Sequence, residues 1–219
     1  MMKILVVPIV SLLIAGCAYK TLKPVSPLKS ISRNVTQAYF AAEDGDARSQ
    51  HIVGNAFLYG SGNVKKNKDE AFKWLTLATD QGYAPAFKTI GDYYKDGDEV
   101  DFAKAVKYYE IASDRGSIPA TLELALMYHE GDVVDKDFEK SISYWKLLNE
   151  SRWPGAEFKI AEIYEENSFR EEAIEWYELA EKRNHGDRAR EARKRITKLE
   201  SVIEQINSLL PTITAPKKP

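Results

Sequence analysis

Side chains that could do chemistry are sparse in this chain, and their spacing gathers none of them into a reaction centre. The three histidines, His51, His129 and His185, stand far apart. None lies within ligand spacing of another histidine or of a cysteine, which is what a zinc-type site requires. There is no HExxH pair, no phosphate-cradling glycine loop, no dinucleotide fingerprint and no nucleophile elbow. The single cysteine, Cys17, excludes an internal disulfide. What remains is carboxylate chemistry, with 33 Asp and Glu balanced by 31 Lys and Arg for a net charge of −2. That balance argues against nucleic acid as a partner. No metal or cofactor is implied.

The elements that would position these groups repeat. A small residue, an aromatic three on and a polar turn residue three further recur as Gly54-Phe57-Gly60, Gly91-Tyr94-Gly97, Ala125-Tyr128-Gly131 and Ala161-Tyr164-Asn167. A second register places an aromatic at +3, usually Ala at +7 and a helix-ending residue at +11. It recurs as Ala71-Trp74-Ala78-Gly82, Ala105-Tyr108-Ala112-Gly116, Ser141-Tyr144-Leu148-Arg152 and Ala173-Trp176-Ala180-Asn184, with a weaker early copy at Asn34-Gln37-Ala41-Gly45. Offsets of three, four and seven share one helical face, so each unit is a pair of helices, A then B. Gly45, Gly82 and Gly116 suit the left-handed residue that closes a helix. Pro85, Pro119 and Pro154 fall near the first turn of the next A helix, where a missing N–H costs nothing. Ser168 and Glu171 read as a capping box for the last B helix. Matched positions Ser49, Ala86, Ala120, Ala156 and Arg188 lie 37, 34, 36 and 32 residues apart, the variation falling in the A-to-B loop.

Roughly from residue 34 to 188 this pattern resembles LxGxxYxxGxGVxxDxxKAxxWYxxAAxxGxxxA, the Sel-one-like repeat, a relative of the tetratricopeptide repeat. Gly54, Gly60, Gly62, Val64, Ala71, Trp74, Ala78, Gly82 and Ala86 carry the match in the first unit, and the fourth unit departs most. The resemblance implies an all-α fold, an α-solenoid of helix hairpins over residues 33–185 closed by a C-terminal capping helix over 186–210, and a protein–protein interaction scaffold.

In repeats of this type the A helices line the concave side. With the small residue as slot zero, −1 and +3 face the core, while −2, +1 and +5 point away at about 100° per residue. Those slots hold Ile52, Asn55 and Tyr59; Thr89, Asp92 and Asp96; Glu123, Leu126 and Glu130; and Lys159, Glu162 and Glu166. They are read either as an increasingly acidic groove for a segment bearing Lys or Arg, or as a solvated acidic face. His51 and His129 are read as polar surface residues of the A helices.

At the N-terminus, Lys3 precedes an apolar run from Ile4 to Ile14, too short for a comfortable membrane span of about 20 residues. Leu13-Ile14-Ala15-Gly16-Cys17 resembles a bacterial lipobox. By that resemblance residues 1–16 are a signal peptide, Cys17 is lipidated, and residues 17–32, with Pro24 and Pro27, are a tether. Each buried methylene contributes ~0.8 kcal/mol, and two or more acyl chains anchor stably. Ala18, in place of an Asp, favours the outer membrane, facing the periplasm, with the cell surface as an alternative. After the repeats, Ala192, Ile196, Leu199, Ile203, Ile206 and Leu210 alternate spacings of four and three. This seam could cap the solenoid or pair with a partner helix, and Pro211 is expected to end it ahead of a tail over 211–219. Arg188, Arg190, Arg193, Lys194, Arg195 and Lys198 make the start of that helix basic, a solvated face or a contact for anionic lipid or an acidic partner. The expected function is a lipid-anchored envelope scaffold that assembles or stabilises a complex of envelope proteins. The alternative is an enzyme acting on cell-wall or polysaccharide material through carboxylates.

Overall fold

The structure, a computed structural model, describes residues 33–183 and 186–214, with side chains to 209. Residues 1–32, on which the expected signal segment, lipidated Cys17 and tether fall, lie outside the described residues, as do Asn184, His185 and residues 215–219. Within them are ten α-helices and no strand. Helix α1 (Arg33–Glu43) is the early half-unit. Four hairpins follow: α2 (Ala47–Tyr59) with α3 (Lys68–Asp80), α4 (Ala84–Asp96) with α5 (Phe102–Asp114), α6 (Ile118–Glu130) with α7 (Phe138–Glu150), and α8 (Ala156–Glu166) with α9 (Arg170–Arg183). Helix α10 (Asp187–Thr214) closes the array. The all-α hairpin solenoid expected from the spacing is the fold observed.

Why the hairpins close is visible at slot zero. A Cβ built on Gly54 would stand 2.7 Å from Leu75 Cγ, and one on Gly91 would stand 2.7 Å from the Tyr109 ring. In the third hairpin the small residue of the B helix makes the join, Ser141 Oγ donating to the Ala125 carbonyl at 2.8 Å. In the first two hairpins the side chain nearest slot zero is thus one position beyond the expected aromatic. Leu75, Tyr109, Trp145 and Tyr177 are buried, whereas Tyr108, Tyr144 and Trp176 at +3 are half-buried. Two of those +3 rings stack on the aromatic of their own A helix: Tyr108 on Tyr94 with centroids 5.8 Å apart, and Tyr144 on Tyr128 at 6.0 Å. Five apolar clusters run along the array, from Ala38, Ala42, Val53 and Trp74 at one end to Tyr177, Ala192, Ile196 and Leu199 at the other. Each helix pair therefore buries its face on a neighbour in sequence, as solenoids do.

Loops of unequal length are pinned at both ends. The residue preceding each B helix donates its N–H to the carbonyl of the A-helix aromatic: Asn67 to Phe57 at 2.9 Å, Asp101 to Tyr94 at 2.8 Å, Asp137 to Tyr128 at 2.9 Å and Phe169 to Tyr164 at 2.9 Å. In the first three the same residue caps the helix, its side-chain oxygen accepting from the backbone three residues on. Gly45, Gly82 and Gly116 adopt positive φ at the helix ends, as expected.

Three local expectations are corrected. Ser168 is no N-cap: it sits at φ 67, and the cap position passes to Phe169, whose carbonyl accepts from Ala173. Pro154 precedes the helix, because Gly155 is the N-cap residue of α8. Pro211 does not end α10, which continues to Thr214. A proline there removes one N–H, and the bond it removes would have gone to the carbonyl of exposed Asn207, which water can satisfy.

Candidate partner-docking surface

The twelve A-helix residues expected to point away from the core do not form one acidic wall. At the first unit, Ile52 and Tyr59 lie two turns apart on α2 and are 38% and 52% exposed. Asn55 lies between them, half-buried, its amide nitrogen 3.1 Å from His51 Nε2. Tyr59 then meets the second and third units. A depression of about 460 Å³ is lined by Tyr59, Lys88, Asp92, Lys95, Asp96 and Glu123, drawn from α2, α4 and α6. Burial, then the charges of Asp92 and Asp96, push the Tyr59 hydroxyl above its usual range.

Most of the carboxylates here are already paired. Lys88 reaches both oxygens of Asp92 at 2.9 and 2.8 Å, and the Tyr109 hydroxyl donates to the same carboxylate at 2.8 Å. Burial, then the Asp92 charge and this hydrogen bond, hold Tyr109 protonated far beyond ordinary pH. Lys95 donates to Glu123 at 2.7 Å, and Lys159 to Glu162 at 2.7 Å. Burial alone would lower the Lys95 ammonium, but the hydrogen bond and charge of Glu123, with Asp96, outweigh it and the net shift is upward. The expectation of a steadily acidic groove is therefore corrected, since a paired carboxylate presents little net charge. Asp96, Glu130 and Glu166 are the exposed acids of the set; Asp96, 3.5 Å from Lys95 Nζ, still keeps 73% of its side chain in solvent.

Of the twelve, only Tyr59, Asp92, Asp96 and Glu123 line the depression, and two of the others are drawn into packing. Thr89 is only 6% exposed, because its hydroxyl turns to His51 Nε2 at 2.9 Å across the α2–α4 junction. Leu126 is half-buried and packs against the core shared by α6, α7 and α8. The reading of the histidines changes as well. His51 is a junction residue: Asn55 and Thr89 meet its Nε2, its ring tilts on Tyr83 at 5.5 Å, and burial lowers its pKa. His129 is half-buried, with Nε2 3.9 Å from Glu166. Sequence spacing could not find these side-chain meetings, because their partners lie on different helices. Among the described residues no group of three or more His, Cys, Asp or Glu is arranged to hold a metal ion.

The basic start of α10 is also engaged. Arg190 pairs with Asp187 and Arg193 with Glu181. Arg195 binds Glu165 at 3.1 Å and Glu191 at 3.0 Å. Glu165 also accepts from Tyr177 at 2.8 Å.

Comparison with known proteins agrees with this architecture. The family model described as the Sel1 repeat matches residues 47–83, 90–117, 118–150 and 167–185, about half of the chain. Among solved structures, a protective antigen present in uropathogenic Escherichia coli strains, displaying an SLR fold, is 31% identical over 68% of this chain, with a TM-score of 0.55. This chain covers only 33% of that antigen. A Sel1 repeat protein from Oxalobacter formigenes is 20% identical with a TM-score of 0.58, covering 80% of this chain and 70% of its own. No curated protein matches. The four matched segments, and the hairpins they fold into, make this chain a member of the Sel1 repeat family, whose members generally serve as protein–protein interaction scaffolds.

Proposed function

We propose that this chain is a lipid-anchored scaffold of the bacterial envelope, held through Cys17 in the outer membrane and facing the periplasm. There it docks a segment of an envelope protein along its A helices. The observation that carries the docking site is the depression where Tyr59, Asp96 and Glu123 arrive from three successive repeats. A half-exposed ring beside an unburied carboxylate suits a segment with an apolar residue to lie on Tyr59 and a Lys or Arg to approach Asp96. Specificity of this kind comes from a few anchors rather than from the whole surface. Asp92, Glu123 and Glu162 are each held by a lysine, which supports recognition over the paired-carboxylate chemistry of a wall-degrading hydrolase.

The lipobox residues and the apolar run before them support the anchor. No helix among the described residues is long and apolar enough to cross a membrane. Two measurements test the reading. Cys17→Ser is expected to abolish palmitate labelling and to release the protein from the membrane fraction. Retained membrane fractionation would remove the anchor from the account. Tyr59→Ala with Asp96→Lys is expected to lose a partner that co-purifies from detergent-solubilised envelopes, while the circular dichroism spectrum stays unchanged. Full partner recovery by the double variant would remove the groove.

A further inference from the structure

We propose that the far half of α10 pairs antiparallel with the same segment of a second copy of this chain. The observation is a mismatch of lengths. Helix α9 has 14 residues and α10 has 28. The two run back on each other from the turn at Gly186, so α9 covers only the first half of α10. Burial follows: Ala192, Ile196 and Leu199 are 0%, 9% and 5% exposed. One step further along the same seam Ile203 is half-buried, and Ile206 is 41% exposed. The seam does not stop where α9 stops. Its alternating spacing continues at positions 203, 206, 210 and 213 of the same helix, so a face built for helix packing outruns its intramolecular partner.

A second copy is the occupant this face fits. The overhang carries no Asp, Glu, Lys or Arg from 205 to 214, in a chain that is 29% charged. A helix recognised through flanking charges would find none to meet, whereas an identical uncharged helix requires none. Antiparallel pairing centred on Ser208 sets position 203 against 213 and 206 against 210, so seam faces seam and the two overhangs match in length. It also sends the solenoid bodies to opposite ends. Parallel pairing would crowd both bodies at one end. A lipid surface is the poorer fit. Helices that lie in a membrane interface carry Lys and Arg on the polar face, and here that face carries exposed Glu200, Glu204, Gln205, Asn207 and Ser208.

Two such short helices bury less than the roughly 1,200–2,000 Å² of a standard stable interface, so the dimer is reversible and concentration-dependent. Sedimentation equilibrium of the full chain in detergent, over rising concentration, is the test. The wild type is expected to pass from monomer to dimer. Ile206→Glu is expected to raise the dissociation constant at least tenfold and leave the thermal midpoint unchanged. Ile203→Asp should act in the same direction. A wild type that stays monomeric throughout, or a dimer indifferent to Ile206→Glu, overturns the proposal. So does a lowered midpoint in Ile206→Glu, which would mean that the face packs on its own body. Monomeric protein whose binding to phosphatidylethanolamine–phosphatidylglycerol vesicles is lost in Ile206→Glu would assign the face to lipid instead, and also overturns it.

Discussion

Gly91 shows how one absent side chain sets the distance between two helices. Its backbone meets the ring of Tyr109 so closely that a Cβ would sit 2.7 Å from two ring atoms. Tyr109 has little room to retreat, being fully buried with its hydroxyl on Asp92. Gly91→Val is therefore expected to destabilise by about 1–3 kcal/mol, the usual range for overpacking. Its thermal midpoint should fall by several degrees; a midpoint equal to wild type would contradict the packing described. His51 gives a prediction of a different kind. Its Nε2 lies 3.1 Å from the Asn55 amide nitrogen, a donor that suits an unprotonated Nε2, and 2.9 Å from the Thr89 hydroxyl. Burial lowers its pKa from the ordinary value of about 6.5. The unfolded chain binds the proton more readily than the folded one, so the His51 contribution is complete above the unfolded value. It is lost as pH falls through that value towards the lower folded one. His51→Gln, which keeps a hydrogen-bonding group but does not titrate, should be less stable than wild type at pH 8, and the gap should narrow by pH 5. A gap independent of pH would contradict this. At this scale the sequence was partly legible. Gly91 and Gly54 announced a close crossing, and Lys88 with Asp92 is a pair that helical spacing alone places together. Lys95 with Glu123 and His51 with Thr89 span 28 and 38 residues, and no local period encodes them. That is why the groove read as more acidic, and Thr89 as more exposed, than the folded chain makes them.

Elements begin and end here by side chains acting at their caps. Asn67, Asp101 and Asp137 each start a B helix twice over, holding a free N–H of the first turn and tying the loop back to the aromatic of the A helix. Between these fixed ends the loop can lengthen without moving either helix, which is how hairpins of unequal period share one packing arrangement. Asp137→Ala should cost about 0.5–2 kcal/mol, measured as a shift in the urea midpoint at unchanged slope. No shift would mean that α7 is started by packing alone. The fourth hairpin lacks such a residue. Phe169 stands at its cap and Ser168 takes a left-handed turn. A serine three residues before a glutamate looked like a capping box, yet the short loop needs Ser168 for the turn itself. The end of α10 departs from expectation for the opposite reason: a proline near an exposed helix end removes too little to stop it.

The whole molecule is a stack with one blocked end. In the four hairpins slot zero is Gly or Ala, and a B helix closes on it. The equivalent position in α10 is Arg193, whose side chain is 72% exposed and paired to Glu181. No further B helix can approach there, so the array terminates while Ala192 and Ile196 still cover α9. The repeat count and the A–B alternation were legible throughout because they rest on periodicity. The shape of the docking surface was not, because it depends on which charges neutralise one another after stacking. On the proposed reading, stacked A helices build a surface for recognition centred on Tyr59. A photo-activatable phenylalanine analogue placed in turn at Tyr59, and at Lys107 and Leu147 on exposed positions of the B helices, tests it most directly in intact cells. A discrete adduct with another envelope protein is expected from position 59, abolished by Asp96→Lys, and none from positions 107 and 147. Adducts from the B-helix positions with none from position 59 would contradict it.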